Sequence, residues 1–234
     1  QLVERGGFER VVGVDPAAGA IEEARRRAAS AGLGARLDYR RATAEEALAT
    51  ERGLDAVVFH GSLHHIERVG ETLDAALRAL RPGGLLILDE YVGPSMAQWT
   101  WWRLLPRTLL LRALPGRYRR TRIVRAPRNP EDPTEMIASN RILPEVGRRF
   151  EVVELRPYGG QILAALFPSL RQPGDGPGAP AAEELDRLVL RLLAVEDALL
   201  ARPWLPGSRT HHAVVLARAP AGGSSGLSAG GRPR

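Results

Sequence analysis

Apolar residues recur in this chain with two different periods. Between Leu54 and Glu90 they form a short block at Ala56 to Phe59, then recur at helical spacing as Leu73, Ala76, Leu77 and Leu80, then form a second block at Leu85 to Leu88. Short apolar blocks bounded by polar residues suit buried strands, and a recurrence every three to four residues suits an amphipathic helix. With Pro82-Gly83-Gly84 read as a tight turn before the second block, the stretch is a strand–helix–strand unit. A crossover of this kind joins parallel strands, so the pattern predicts a parallel sheet buried on both faces. Ligands of open parallel sheets bind beyond the carboxyl ends of the strands. Those ends carry His60-Gly61-Ser62-Leu63-His64-His65 and Asp89-Glu90-Tyr91-Val92-Gly93.

The same patterns extend in both directions. Arg10 to Val14 reads as a strand ending at Asp15-Pro16, followed by a helix from Ala18 to about Ala31 that stops at Gly32. Leu37 to Arg40 is a short strand candidate and Ala44 to Ala49 a short helix. Ser95 to Leu114, rich in Trp and Leu and interrupted by Pro106, reads as a broken helix. Phe150 to Leu155 is a further strand, Gln172 to Ala182 a Pro/Gly-rich linker, Glu183 to Leu200 an amphipathic helix and His212 to Ala217 a last strand. Residues 219–234 are Gly, Ser and Pro in low complexity and are expected to be disordered. The expected organisation is one domain over 1–218, with a cap insertion at 94–149 and a linker at 172–182, followed by the tail.

Composition adds limits. A chain of 234 residues can bury a sizeable core, and with no cysteine it has neither disulfides nor thiolate metal ligands. No signal-peptide pattern and no bilayer-length apolar run is read, so a cytoplasmic location is expected. The formal net charge of +6 comes entirely from arginine, since no lysine is present. An excess of Arg, Ala, Gly and Pro is equally what a coding bias produces, so the global charge is no evidence of a nucleic-acid partner.

Several residues could carry chemistry. Asp15, at the carboxyl end of a strand, presents two acceptor oxygens matched to a vicinal diol, or it caps the next helix. Gly61 permits close approach of backbone to a ligand, and His64 and His65 offer donors or a base, against the alternative of a packed and an exposed histidine. His64-His65 and His211-His212 are adjacent pairs without the i, i+4 spacing that sets two ligands on one helix face, so no metal site is expected.

Taken together, VVGVDPAAGAIEEARRRA, LDAVVFHGSLHHI and LRALRPGGLLILDEYVG resemble the motifs of class I S-adenosylmethionine-dependent methyltransferases over about residues 1–93. FEVVELRPYGG and THHAVVLARAP resemble the last two strands of that fold. The resemblance implies a Rossmann-like α/β sheet with a helical cap after the fifth strand, and S-adenosylmethionine as cofactor. By it, Asp15 holds the ribose, Pro16 borders the adenine, and His60, Gly61 and Leu63 line the methionine end, with His65 a further cofactor-binding candidate. Where the family places an Asp for the adenine amino group, this chain has Ala42 and Thr43. The family also opens with a strand and a glycine-rich loop, whereas QLVERGG resembles the tail of the helix that follows them. The chain is accordingly expected to be a fragment lacking that first strand and loop, with little activity of its own.

Methyl transfer depends mainly on aligning nucleophile and methyl carbon, and His64, Glu90 or Tyr91 are the candidates to accept the proton of the methylated group. No acidic residue lies between Glu90 and Glu131, while nine arginines from Arg103 to Arg128 are interleaved with Trp99, Trp101, Trp102 and a leucine run. This segment is expected to contact an anionic surface or a lipid-linked acceptor, including peripheral membrane contact through 99–128, rather than nucleic acid. The alternative is a helical cap whose Trp and Leu face the domain. The expected activity is methylation of a small-molecule or lipid-linked acceptor. The competing readings are a non-catalytic scaffold that retains the fold and, ranked last, a nucleic-acid-binding protein, for which no recognition motif is present.

Overall fold

The structure, a computed structural model, describes residues 7–127, 132–160, 162–202 and 210–221. The expected disordered tail lies, except for 219–221, outside the described residues, as does most of QLVERGG. The elements follow the sequence pattern closely in the first half. They are β1 (Val11–Asp15), α1 (Ala18–Ser30), β2 (Leu37–Arg41), α2 (Ala44–Thr50), β3 (Leu54–His60), α3 (Val69–Ala79) and β4 (Leu80–Tyr91). The second half adds α4 (Trp101–Ala113), α5 (Ile142–Arg149), β5 (Glu151–Tyr158), α6 (Leu163–Leu166), α7 (Ala182–Leu200) and β6 (His212–Arg218).

Two sheets form. β1 and β2 pair in parallel, with Asp15 opposite Arg41. The other sheet has the order β3-β4-β6-β5, in which β3 and β4 are parallel and β6 is antiparallel to both its neighbours. The sheet is therefore mixed, not wholly parallel, and β5 at its edge is exposed along its whole length. Among the described residues no ladder joins β1 to β3. Helix α2 links the two sheets by contacting both β1 and α3.

Pro82-Gly83-Gly84 does not end one element and begin another. β4 runs through it, and the register jumps from Leu54 opposite Leu80 to Ala56 opposite Leu85. The three residues form a bulge. Gly83 has φ of 73°, and a Cβ on Gly84 would stand 2.9 Å from the Arg81 carbonyl oxygen and 3.1 Å from that of Leu54. Only glycine allows that approach of backbone to backbone.

The main core lies between the mixed sheet and helices α3 and α5. Leu73 and Ala76 of α3, Leu86 and Leu88 of β4, Val146 of α5 and Val215 of β6 are all fully buried there. A second core gathers Leu111 of α4, Leu166 of α6, and Leu185 and Leu192 of α7. The segment 94–149 thus serves both cores instead of standing apart as one cap, because the apolar stripe of α5 faces the sheet and Leu111 of α4 faces α6 and α7. Arg149 of α5 binds Asp74 of α3 at 2.6 and 3.1 Å, fixing the two helices side by side.

Helix α4 contains Pro106 and is not broken by it. The proline removes one backbone donor, yet the helix continues for two more turns because Leu111 is anchored in the second core. Trp101, Trp102, Leu105 and Leu109 face solvent, with Trp101 at 74% exposure. The opposite side of the segment packs inward, with Leu111 buried and Trp99, Leu104, Leu110 and Leu114 partly buried against the second core. No helix among the described residues is long and apolar enough to cross a membrane.

Candidate active site

All five histidines of the chain lie at one end of the mixed sheet. His60 ends β3, and His64 and His65 occupy the single 3₁₀ turn Leu63–His65 that follows. His211 and His212 arrive at the same end because β6 is antiparallel, which sets His212 opposite both Tyr91 and Tyr158.

Glu90 organises this end. It is the penultimate residue of β4 and is 1% exposed, so its charge must be satisfied inside the protein. Its Oε1 accepts the backbone N–H groups of Ser62 and Leu63, each at 2.7 Å, and its Oε2 accepts from His64 Nδ1 at 2.7 Å. The chain can enter this arrangement because Gly61, with φ of 56°, turns it out of β3 while its N–H bonds the Asp89 carbonyl at 2.9 Å. Burial pushes the Glu90 carboxyl up, but the three donors from His64, Leu63 and Ser62 outweigh it and hold the carboxyl below its ordinary range. An ionised Glu90 only accepts hydrogen bonds, so His64 donates to it through Nδ1–H and turns Nε2 outward. His64 Nε2 stands 3.5 Å from Glu135 Oε1.

His65 is held in the same manner by the segment preceding α5. Its Nδ1 lies 3.1 Å from Asp132 Oδ2 and 3.2 Å from Thr134 Oγ1. Asp132 itself receives the Thr134 N–H at 2.9 Å and the Thr134 hydroxyl, which keep its carboxyl below the ordinary range.

The other expected catalytic residue, Tyr91, is differently placed. Its hydroxyl donates to the Pro94 carbonyl at 3.1 Å, and burial pushes the phenol well above its usual value. It remains protonated and spends that proton inside the protein, so it is a poor base. His60 is 80% exposed at its side chain and lies 3.1 Å from Asp89. Leu63 is fully buried in the main core, so only its backbone belongs to the turn.

At the carboxyl end of β1, Asp15 Oδ1 accepts at 2.7 Å the N–H of Ala17, the residue immediately before α1. Pro16 is exposed, and its carbonyl accepts from Arg41 Nε at 3.1 Å. The loop after β2 is tied to the same place by the Ala42 N–H bonding the Asp15 carbonyl at 3.3 Å. Ala42 therefore offers only backbone. Thr43 is committed elsewhere, since its hydroxyl accepts the Glu46 N–H at 3.2 Å while its own N–H donates to the Glu46 side chain at 2.8 Å. That reciprocal pair is a capping box for α2, and the Thr43-x-x-Glu46 spacing is a local signal for it.

Tyr158 and Glu135, which the sequence pattern did not single out, belong to this end of the sheet, together with His211, read there only as half of an adjacent histidine pair. His211 is buried, with its ring 5.8 Å from Tyr91, and burial together with Arg107 lowers its imidazole to about 4. Tyr158 stacks on His212 at 5.5 Å and bonds Asp89. Glu135 reaches His64 from a segment far along the chain. None of these contacts has a local signature, because each depends on the direction of β6 or on the path of the segment before α5.

Comparison with known proteins finds the following similarities. Residues 1–88 match the family model described as "Methyltransferase domain". Among solved structures, the chain is similar to a putative methyltransferase from Bacillus halodurans C-125, at 15% identity and a TM-score of 0.49, with 90% of this chain and 83% of that one covered. It is also similar to the N-methyltransferase NodS from Bradyrhizobium japonicum WM9 in complex with S-adenosyl-l-homocysteine, at 11% identity and a TM-score of 0.46, covering 90% and 67%. A third similarity is to the [4+2]-cyclase SpnF, at 17% identity and a TM-score of 0.48, covering 91% and 67%.

Proposed function

We propose, for a chain whose residues 1–88 match the methyltransferase-domain model, that the protein is a class I methyltransferase that methylates a small-molecule or lipid-linked acceptor at the end of the sheet where its histidines gather. The observation that carries the reading is the buried Glu90 carboxylate. It holds the Nδ1–H of His64 inward, so that Nε2 is the nitrogen through which this ring exchanges a proton.

S-adenosylmethionine, when bound, supplies a methyl group on a positively charged sulfur. Asp15 fits the part of holding its ribose, since the carboxylate stands at a strand end with only Oδ1 turned back to the Ala17 N–H. Pro16, His60, Gly61 and His65 are the remaining candidates for the cofactor's surroundings. Thr43 does not fit without breaking the α2 cap, and Leu63 can contribute only its backbone. His64 Nε2 takes the acceptor's proton, and Glu90 stabilises the imidazolium that results. The exposed Trp101, Trp102, Leu105 and Leu109, with Arg112 exposed on the same helix, suit an acceptor carried on or near an anionic lipid surface.

Titration calorimetry with S-adenosylmethionine tests this reading. Asp15→Ala is expected to weaken binding about 10- to 150-fold, the loss of one charge-assisted hydrogen bond or slightly more. His64→Ala is expected to leave cofactor binding intact while lowering methyl transfer by about 10²- to 10⁴-fold. Equal affinity of the Asp15 variant and the unaltered protein removes Asp15 from the site.

A further inference from the structure

The geometry points to a site for a divalent transition-metal ion, formed by His64, His65 and Glu135, at the junction between the β3 exit and the segment leading into α5. One ligand atom from each of the three residues lies within 4.8 Å of the others. The family match at residues 1–88 does not reach Glu135, and nothing in the methyl-transfer reading calls for an ion here.

Three observations support the site. The first is the state of the two imidazoles. Each has its Nδ1 turned to a carboxylate, His64 to Glu90 at 2.7 Å and His65 to Asp132 at 3.1 Å. A carboxylate on one ring nitrogen fixes the tautomer and makes the other nitrogen a better electron-pair donor, as is usual for metal-binding histidines. The second is an electrostatic mismatch. With Nδ1 as the donor, a neutral His64 presents the lone pair of Nε2 to the Glu135 carboxylate at 3.5 Å. Two acceptors at that distance need a positive centre between them, either a proton or a metal ion. The third is backbone strain. Met136, directly after Glu135, is the one non-glycine among the described residues with a left-handed φ, at 57°, and its carbonyl accepts the Met96 N–H at 3.1 Å. Strain of this kind persists where surrounding structure holds a neighbouring group in place.

The donor set selects the ion. Two imidazoles and one carboxylate suit zinc, cobalt or iron(II), and do not suit magnesium or calcium, which take oxygen ligands. Three protein ligands leave a fourth position open in a tetrahedral site. Donor atoms of such a site stand about 3.3–3.5 Å apart. The His64–Glu135 pair already meets that separation, and the separations to His65, within 4.8 Å, close by about 1.5 Å at most. Glu90 and Asp132 would act as outer carboxylates and not as ligands. An ion here occupies the lone pair of His64 Nε2, so metal loading and proton uptake at His64 exclude each other.

The experiment is titration of the full chain, stripped with chelator and free of cofactor, with cobalt(II) and zinc. Visible d–d absorption reports cobalt coordination, and calorimetry reports zinc. One equivalent of each is expected to bind. Glu135→Gln is expected to weaken binding at least about tenfold, His65→Ala similarly, and Glu90→Gln by about 10- to 100-fold through the orientation of His64. Glu135 is part-exposed and outside both cores, so its variant keeps the fold and a thermal melt can verify it. Absence of cobalt bands, or unchanged binding in Glu135→Gln, overturns the proposal and identifies the cluster as a histidine shared between two carboxylates. Because no cofactor or acceptor is used, this result is independent of whether the chain transfers methyl groups.

Discussion

Glu90 Oε2 and His64 Nδ1 stand 2.7 Å apart, and this contact decides which nitrogen of His64 faces outward. The carboxylate has no proton to give, so the imidazole must donate. In Glu90→Gln the side-chain oxygen can keep the Ser62 and Leu63 amides while its NH₂ turns to His64, which reverses the tautomer. Nitrogen-resolved NMR of the histidines is expected to show Nδ1–H in the unaltered protein and Nε2–H in the variant. The same spectrum in both would mean that Glu90 does not orient His64.

Stability should depend on pH through His211. Its imidazole is lowered to about 4 by burial, against an ordinary value of 6.5. Between those values the unfolded chain binds a proton that the folded chain does not, so stability is full above about 6.5 and falls as the pH is lowered. From pH 7.5 to pH 5 this group alone should remove about 2 kcal/mol. Glu90 acts in the same direction but only below the ordinary carboxylate range, where its protonation costs the folded state its three hydrogen bonds. Urea unfolding at the two pH values checks the size of the effect, and His211→Phe should show a markedly flatter dependence.

Gly93 is required for space and not for backbone conformation. A Cβ there would lie 2.8 Å from Tyr91 Cζ and 2.9 Å from His211 Cγ. Neither ring can retreat easily, because both are buried and the Tyr91 hydroxyl is anchored on Pro94. Gly93→Ala should therefore cost about 1–3 kcal/mol in chemical denaturation. A change within a few tenths of a kcal/mol would show that this corner is more loosely packed than its contacts indicate.

The solvent-facing side of α4 should bind anionic vesicles. Trp101 and Trp102 are 74% and 54% exposed, and Leu105 and Leu109 extend the same apolar surface. Each arginine near an anionic surface contributes about 1 kcal/mol of attraction, screened by salt. Sedimentation with vesicles containing phosphatidylserine is expected to carry the protein down at low salt, and Trp101→Ser with Trp102→Ser should abolish it. Salt-sensitive binding to duplex DNA without any vesicle binding would reverse the assignment.

Leu73→Ala tests the main core. Leu73 is fully buried on α3 against the sheet, and its truncation should destabilise the protein by about 2–5 kcal/mol.

What the sequence determined by itself is local. The block at Ala56 to Phe59, the spacing of Leu73, Ala76 and Leu77, and the block at Leu85 to Leu88 dictate strand, helix and strand, because a buried face imposes its own period on the residues that cover it. Asp15 and Glu90 are readable as strand-end carboxylates for the same reason. The partners of those residues are a matter of tertiary structure. Strand direction places His212 across from Tyr91, and an antiparallel last strand leaves no mark in a run such as His212 to Arg218. Glu135 meets His64 only because α5 packs on α3 and draws the preceding segment over the β3 exit. Pro106 reads locally as a break and is not one, since Leu111 gains a core beyond it. Trp101 and Trp102 read equally well as packed or exposed, because hydrophobic character states what a side chain avoids, while the available neighbours decide whether it can avoid it.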